Sequence, residues 1–138
     1  MKPSPKVPES EKITINLGPI DLGQIDLLVH EGFYSNRTDL IRSAIRNQLA
    51  THADALKQSI ARRMLVLGLQ DLARHDLEGV RKANQRLRIQ VLGLVRIAND
   101  VTPALARETI ESIVVLGALH ASPSVKAALA DRIHQGIR

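Results

Sequence analysis

Cysteine and tryptophan are absent from this 138-residue chain, and phenylalanine and tyrosine occur once each. Without cysteine there is neither a disulfide framework nor a thiolate-bound zinc site. With Phe33 and Tyr34 as its aromatic rings, the chain lacks a platform on which bases of a single strand would stack. Duplex DNA needs no such platform. No apolar run approaches the roughly 20 residues of a membrane-spanning helix. The first ten residues, MKPSPKVPES, are polar and proline-punctuated rather than signal-like. A cytoplasmic protein, nucleoid-associated in a bacterium if it binds DNA, is the plain expectation. None of His30, His52, His75, His120 and His134 stands four residues from another, and there is no HExxH, GKS/T or GxSxG pattern. The chain is expected to be no enzyme, to hold no metal and to need no cofactor.

What is present is globular in character: 44% of residues are apolar and 24% charged, with a formal net charge of +5. That excess of positive charge favours a polyanionic partner. Residues 1–10, with Pro3, Pro5 and Pro8, are expected to form a disordered or extended tail. Lys2 and Lys6 make it either a basic arm for phosphates or an idle terminus.

The organising stretch is Glu11–Leu49. It opens on an alternating run, with Lys12, Thr14 and Asn16 on one side and Ile13, Ile15 and Leu17 on the other. Period-two alternation predicts a half-buried strand. A first helix is predicted from Pro19 or Asp21, with Leu22, Ile25, Leu28 and Val29 on one face, and Gly32 stopping it. Phe33 and Tyr34 are expected to fill the corner. A second helix follows, capped by Asn36, with Asp39 placed to complete a capping box. Leu40, Ile41, Ala44, Ile45 and Leu49 carry its apolar stripe. One strand and two short helices are too few to bury a core, and a lone strand leaves an unpaired edge. A second copy, its strand antiparallel to the first, supplies both needs. The outward face of such a ribbon fits the major groove, where Lys donates to guanine and Asn pairs with adenine. An ordinary amphipathic edge strand facing solvent is the competing reading.

The polar–apolar KITINL, the turn GFYSNRTDLIRSAIR and the spacing between them resemble the ribbon-helix-helix DNA-binding family of Arc, MetJ and CopG type, over roughly residues 10–50. The resemblance implies base contacts from Lys12, Thr14 and Asn16 and phosphate contacts around Asn36, Arg37 and Thr38. It implies a homodimer whose core holds Ile13, Ile15, Leu17, Ile25, Leu28, Leu40, Ile41 and Ile45. The free amides of a helix N-terminus independently favour an anion there. Asn36 stands where many members carry Ser or Thr.

Helical spacing continues through Ala53, Leu56 and Ile60, either as one helix or with a break at Thr51-His52. Beyond it lies an internal repeat. Met64–Leu69 reads MLVLGL, Ile89–Leu94 reads IQVLGL and Ile113–Leu119 reads IVVLGAL, with Gly68, Gly93 and Gly117 setting a period of 24 to 25 residues. Helices are predicted after each run: from Asp71 or Asp76 to Asn84, from Thr102 to Glu111, and from Ser122 or Pro123 to Ile133. Thr102-Pro103 and Ser122-Pro123 each suit an N-cap followed by proline. Such a period points to stacked strand–turn–helix units with parallel strands.

The expected fold class is α+β. A ribbon-helix-helix unit over 11–50 forms an intertwined homodimer, a helical extension spans 51–63, and a βα-repeat domain over 64–138 oligomerises or docks a protein partner. The function so implied is a sequence-specific duplex-DNA-binding regulator, a probable repressor. Two alternatives stand beside it: the antitoxin of a toxin–antitoxin pair, and an assembly protein polymerising through its C-terminal repeats.

Overall fold

The computed structural model describes residues Ser10–Gln135. The expected tail over residues 1–10 lies outside them, Ser10 excepted. The chain divides into two compact units, one over Ser10–Ser59 and one from Ile60 onward, and its secondary structure is α+β with a parallel sheet.

In the first unit, helix α1 runs Pro19–His30 and α2 runs Arg37–Thr51. Pro19 takes the first-turn place where no amide partner is missed. Gly32, at φ +86°, supplies the left-handed residue after α1, and the Phe33 amide donates back to the Leu28 carbonyl at 3.0 Å. At His52 the backbone leaves helical geometry, and α3 begins afresh at Ala53, ending at Arg62. The apolar stripe therefore breaks where Thr51-His52 stand.

Residues 11–18 form no strand within the chain. A strand exists only against a partner, and no described segment pairs with this one. Phe33 does not fill the corner as expected: it is 70% exposed, and only Tyr34 is partly covered.

The second unit alternates strand and helix. Its elements are β1 (Val66–Leu72), α4 (Arg74–Lys82), β2 (Leu87–Ile97), α5 (Pro103–Thr109), β3 (Ile110–His120), α6 (Pro123–Ala128) and β4 (Ile133–Gln135). The strands lie in chain order and all pair in parallel. Gly68 pairs with Gly93 and Gly93 with Gly117, so the three glycines form one rank across the sheet. Thr102 and Ser122 accept the Leu105 and Val125 amides at 3.2 and 3.3 Å, fixing the starts of α5 and α6. Asn84, at φ +55°, ends α4; asparagine tolerates that region.

Helices cover one face of the sheet. Ile89, Val91, Val95 and Ile97 of β2 and Ile113, Val115 and Leu119 of β3 are buried in one cluster with Leu77, Leu105, Ala106, Val125 and Leu129. Thr109 is buried among them, its hydroxyl donating to the Leu105 carbonyl at 2.7 Å. The alternate positions, Leu92 and Leu94 of β2 and Val114, Leu116 and Ala118 of β3, are only partly buried.

Three expected boundaries need correction here. The strands run past Leu69, Leu94 and Leu119, to Leu72, Ile97 and His120, because each residue beyond finds a partner on the neighbouring strand. The second of the expected helices ends at Thr109 rather than Glu111, since Ile110 and Glu111 belong to β3. The last helix stops at Ala128 rather than reaching Ile133. Residues 133–135 instead pair with Ile113–Val115, after the Ile113 amide donates to the Arg132 carbonyl at 2.9 Å.

Candidate nucleic-acid interface

Each candidate contact residue lies in the first unit. Lys12, Thr14 and Asn16 are all exposed, and so are the alternating Ile13, Ile15 and Leu17, at 73%, 57% and 41%. Of the other apolar positions, Ile25, Leu40 and Ile41 are partly covered, while Leu28 and Ile45 remain exposed. No residue from Ser10 to Ser59 is buried.

The start of α2 is built by local hydrogen bonds. The Asn36 side chain accepts the Asp39 amide at 2.8 Å, as its capping role requires. Asp39 reaches back one residue further than a capping box would take it. Its carboxylate accepts the Ser35 amide at 3.0 Å and the Ser35 hydroxyl at 3.1 Å. The amides of Arg37 and Thr38 follow the cap in the first turn, where a helix supplies no acceptor of its own. Thr38 is exposed beside them.

Arg37 has a partner that the sequence pattern did not disclose. Its Nε and Nη2 donate to the two carboxylate oxygens of Asp26 at 2.7 and 2.8 Å, tying the start of α2 to α1. Hydrogen bonding from Arg37 holds the Asp26 carboxyl below the usual carboxylate range, and the same bond raises the guanidinium further. Both side chains are about half exposed, so the pair fixes geometry more than it adds stability. Guanidinium carries five N–H donors, and this fork engages two of its three nitrogens. Arg42 and Arg46, one turn apart on α2, are also exposed cations.

Among the described residues there is no cluster of His, Asp and Glu able to hold a metal ion, and no helix is long and apolar enough to cross a membrane. The arrangement offers polar side chains on the segment before α1, a capped helix start and an arginine held by Asp26, all on the surface.

Comparison with curated proteins and with solved structures gave no match. A family profile does match, over residues 8–126, and so spans the segment before α1, the helical pair and most of the βα unit. On that match the chain belongs to the Ribbon-Helix-Helix transcriptional regulator family.

Proposed function

We propose that the protein is a sequence-specific binder of duplex DNA that represses transcription as a homodimer. The observation that carries this reading is the absence of any buried residue between Ser10 and Ser59, in a segment rich in isoleucine and leucine. A unit of that size has no core of its own, and exposed apolar rows of this kind mark an interaction surface. A second copy laying residues 12–17 antiparallel on the first would cover Ile13, Ile15 and Leu17 with Ile25, Leu28, Leu40, Ile41 and Ile45. Lys12, Thr14 and Asn16 would then stand outward on a two-stranded ribbon, the shape that enters a major groove. The helix start at Asn36, Arg37 and Thr38 would anchor phosphates on either side.

In this reading the unit from Ile60 onward joins dimers to one another or to a protein partner. It has its own buried cluster and capped helices, unlike a tail that orders only on a toxin. That favours a regulator over an antitoxin.

Selection from random duplexes at several salt concentrations tests the proposal. A palindromic site should emerge, with affinity falling steeply as salt rises. No enrichment at any salt would refute it.

A further inference from the structure

Gly68, Gly93 and Gly117 share one rank of the sheet and one unusual backbone, with φ of +132°, +141° and +122°. At two of them the neighbouring strand explains the glycine. A Cβ on Gly93 would overlap the carbonyl oxygen of Gly68 and lie 3.0 Å from its carbon, and a Cβ on Gly117 would meet Gly93 in the same way. Gly68 has the same conformation, yet a Cβ there would meet nothing within 4 Å. The place that a further strand would occupy is open.

The rest of that edge is built alike. Among the described residues β1 pairs with β2 alone, which leaves its outer side unpaired along Val66–Leu72. Val66, Leu67 and Leu69 are 62%, 68% and 52% exposed. A free edge is ordinarily blunted by lysine, proline or shortness, and β1 has neither residue. Its one charge, Asp71, is bound to Arg96 at 2.7 Å.

The geometry points to a second copy of this chain as the occupant, its β1 antiparallel to the first about a two-fold axis at Gly68. The opposite edge of the sheet, β4, spans Ile133–Gln135 among the described residues, a short template for the seven residues of β1. Head-to-tail addition of β4 to β1 would also leave an open chain, whereas β1 on β1 closes. The Gly68 carbonyl is turned toward β2, so by alternation Leu67 and Leu69 turn their backbone groups outward. In this register Leu67 of each copy faces Leu69 of the other on the same side of the sheet. Val66 faces Gln70, the two Gly68 residues meet, and no like charges are opposed. The inference names the contact behind the self-association assigned above to the C-terminal unit. It does not depend on DNA binding.

A chain without cysteine allows a direct test by cross-linking at full length. Residues opposed in an outward-paired ladder stand about 5.5 Å apart at Cα, within disulfide reach. Leu67→Cys and Leu69→Cys proteins should be oxidised at micromolar concentration, each alone and after co-refolding, with Leu92→Cys as the control on the open sheet face. The expected result is a disulfide dimer in the mixture, at least tenfold over either protein alone, and none from Leu92→Cys. In parallel, Leu67→Lys/Leu69→Lys should retain its circular dichroism and show a lower sedimentation mass than wild type. No cross-link in the mixture, equal cross-linking of Leu67→Cys alone, or cross-linking through Leu92→Cys overturns the inference. Duplex binding measured on the same wild-type preparation separates the two readings. Binding without the cross-link removes only the edge contact, and the cross-link without binding removes only the DNA-binding role.

Discussion

Replacing Gly93 by alanine isolates the packing rule of the second unit. The new Cβ would fall on the carbonyl oxygen of Gly68, with the Gly68 amide nitrogen 3.3 Å away, so β1 and β2 must part. Two contributions add. Holding a non-glycine residue in this left-handed region costs about 1–3 kcal/mol. Opening the ladder beside it forfeits hydrogen bonds worth about 1 kcal/mol each. A smaller gain from restricting the unfolded chain, about 0.4–1 kcal/mol, acts in the other direction. The net loss is on the order of 3 kcal/mol, a large share of the stability of any small domain. For a unit of this length it lowers the melting temperature by on the order of 15 °C. Gly68→Ala is the internal control. It has the same φ region and open space beside it, so it carries the strain cost of about 1–3 kcal/mol, less the same unfolded-chain gain, without the ladder loss. Urea and thermal unfolding followed by circular dichroism, at concentrations too low for pairing through β1, should therefore rank Gly93→Ala and Gly117→Ala well below Gly68→Ala. Equal losses at Gly68 and Gly93, or a Gly93→Ala protein as stable as wild type, would refute the reasoning.

The remaining predictions concern the surface. Asn16→Ala should remove base discrimination worth roughly 1–3 kcal/mol and spare non-specific binding, as competition between operator and random duplex would show; equal weakening of both would remove the base-reading role. Asp26→Ala releases the arginine that it now holds at 2.7 Å. If Arg37 meets phosphate, that variant should bind all duplexes at least as well as wild type and keep its salt slope, while Arg37→Ala flattens the slope. If Arg37 only braces the corner, the two variants should look alike. Acid should destabilise the protein through carboxylates. Asp26, Glu78, Glu111 and Asp131 are each held below the usual range, chiefly by hydrogen bonds from Arg37, Arg74, Arg88 and Arg107. A lowered carboxylate contributes stability above its unfolded value and loses it as pH falls through its folded one. Melting temperature should thus hold steady down to about pH 5 and decline below about pH 4. The decline should be shallow and weaker in high salt, because these groups face solvent; a loss already complete above about pH 6 would refute the assignment to these carboxylates.

Features settled by neighbours in sequence were legible from the sequence. Asn36, Thr102 and Ser122 cap the helices that follow them because a cap reaches only three residues. The spacing of Gly68, Gly93 and Gly117 equals the offset between paired strands, so it could be read before the sheet was known. Features settled by distant residues were not legible. Gln70–Leu72 and Val95–Ile97 are strand because each finds the other across the sheet. Ile133–Gln135 continues a helical spacing yet pairs with β3. Asp26 stands eleven residues before Arg37, and only the turn at Gly32 brings the two together. Of the candidate interface, the residue types and their alternation were readable; the clamp on Arg37 was not.

The first unit raises a question of energetics that one substitution can answer. Ile15 is 57% exposed in a lone chain, and changing an exposed side chain ordinarily moves stability by no more than about 0.5 kcal/mol. If this unit worked as a monomer, Ile15→Asp would therefore be nearly silent. In the proposed pair the same residue is covered twice, once in each copy. Full burial of isoleucine is worth about 1.5–3 kcal/mol, so the dimer loses roughly 3–6 kcal/mol before the carboxylate's own desolvation is counted. Because no residue of the unit from Ser10 to Ser59 is fully buried, folding and association become one reaction in the proposed pair, and its melting temperature should rise with protein concentration. Helical signal and sedimentation mass, followed together across a concentration series, distinguish the cases. Wild type should gain helix as it gains mass, and Ile15→Asp should show neither gain over the same range. Identical melting of the two proteins at every concentration would mean that the apolar face of residues 13–17 has no mate, and the ribbon would have to be abandoned.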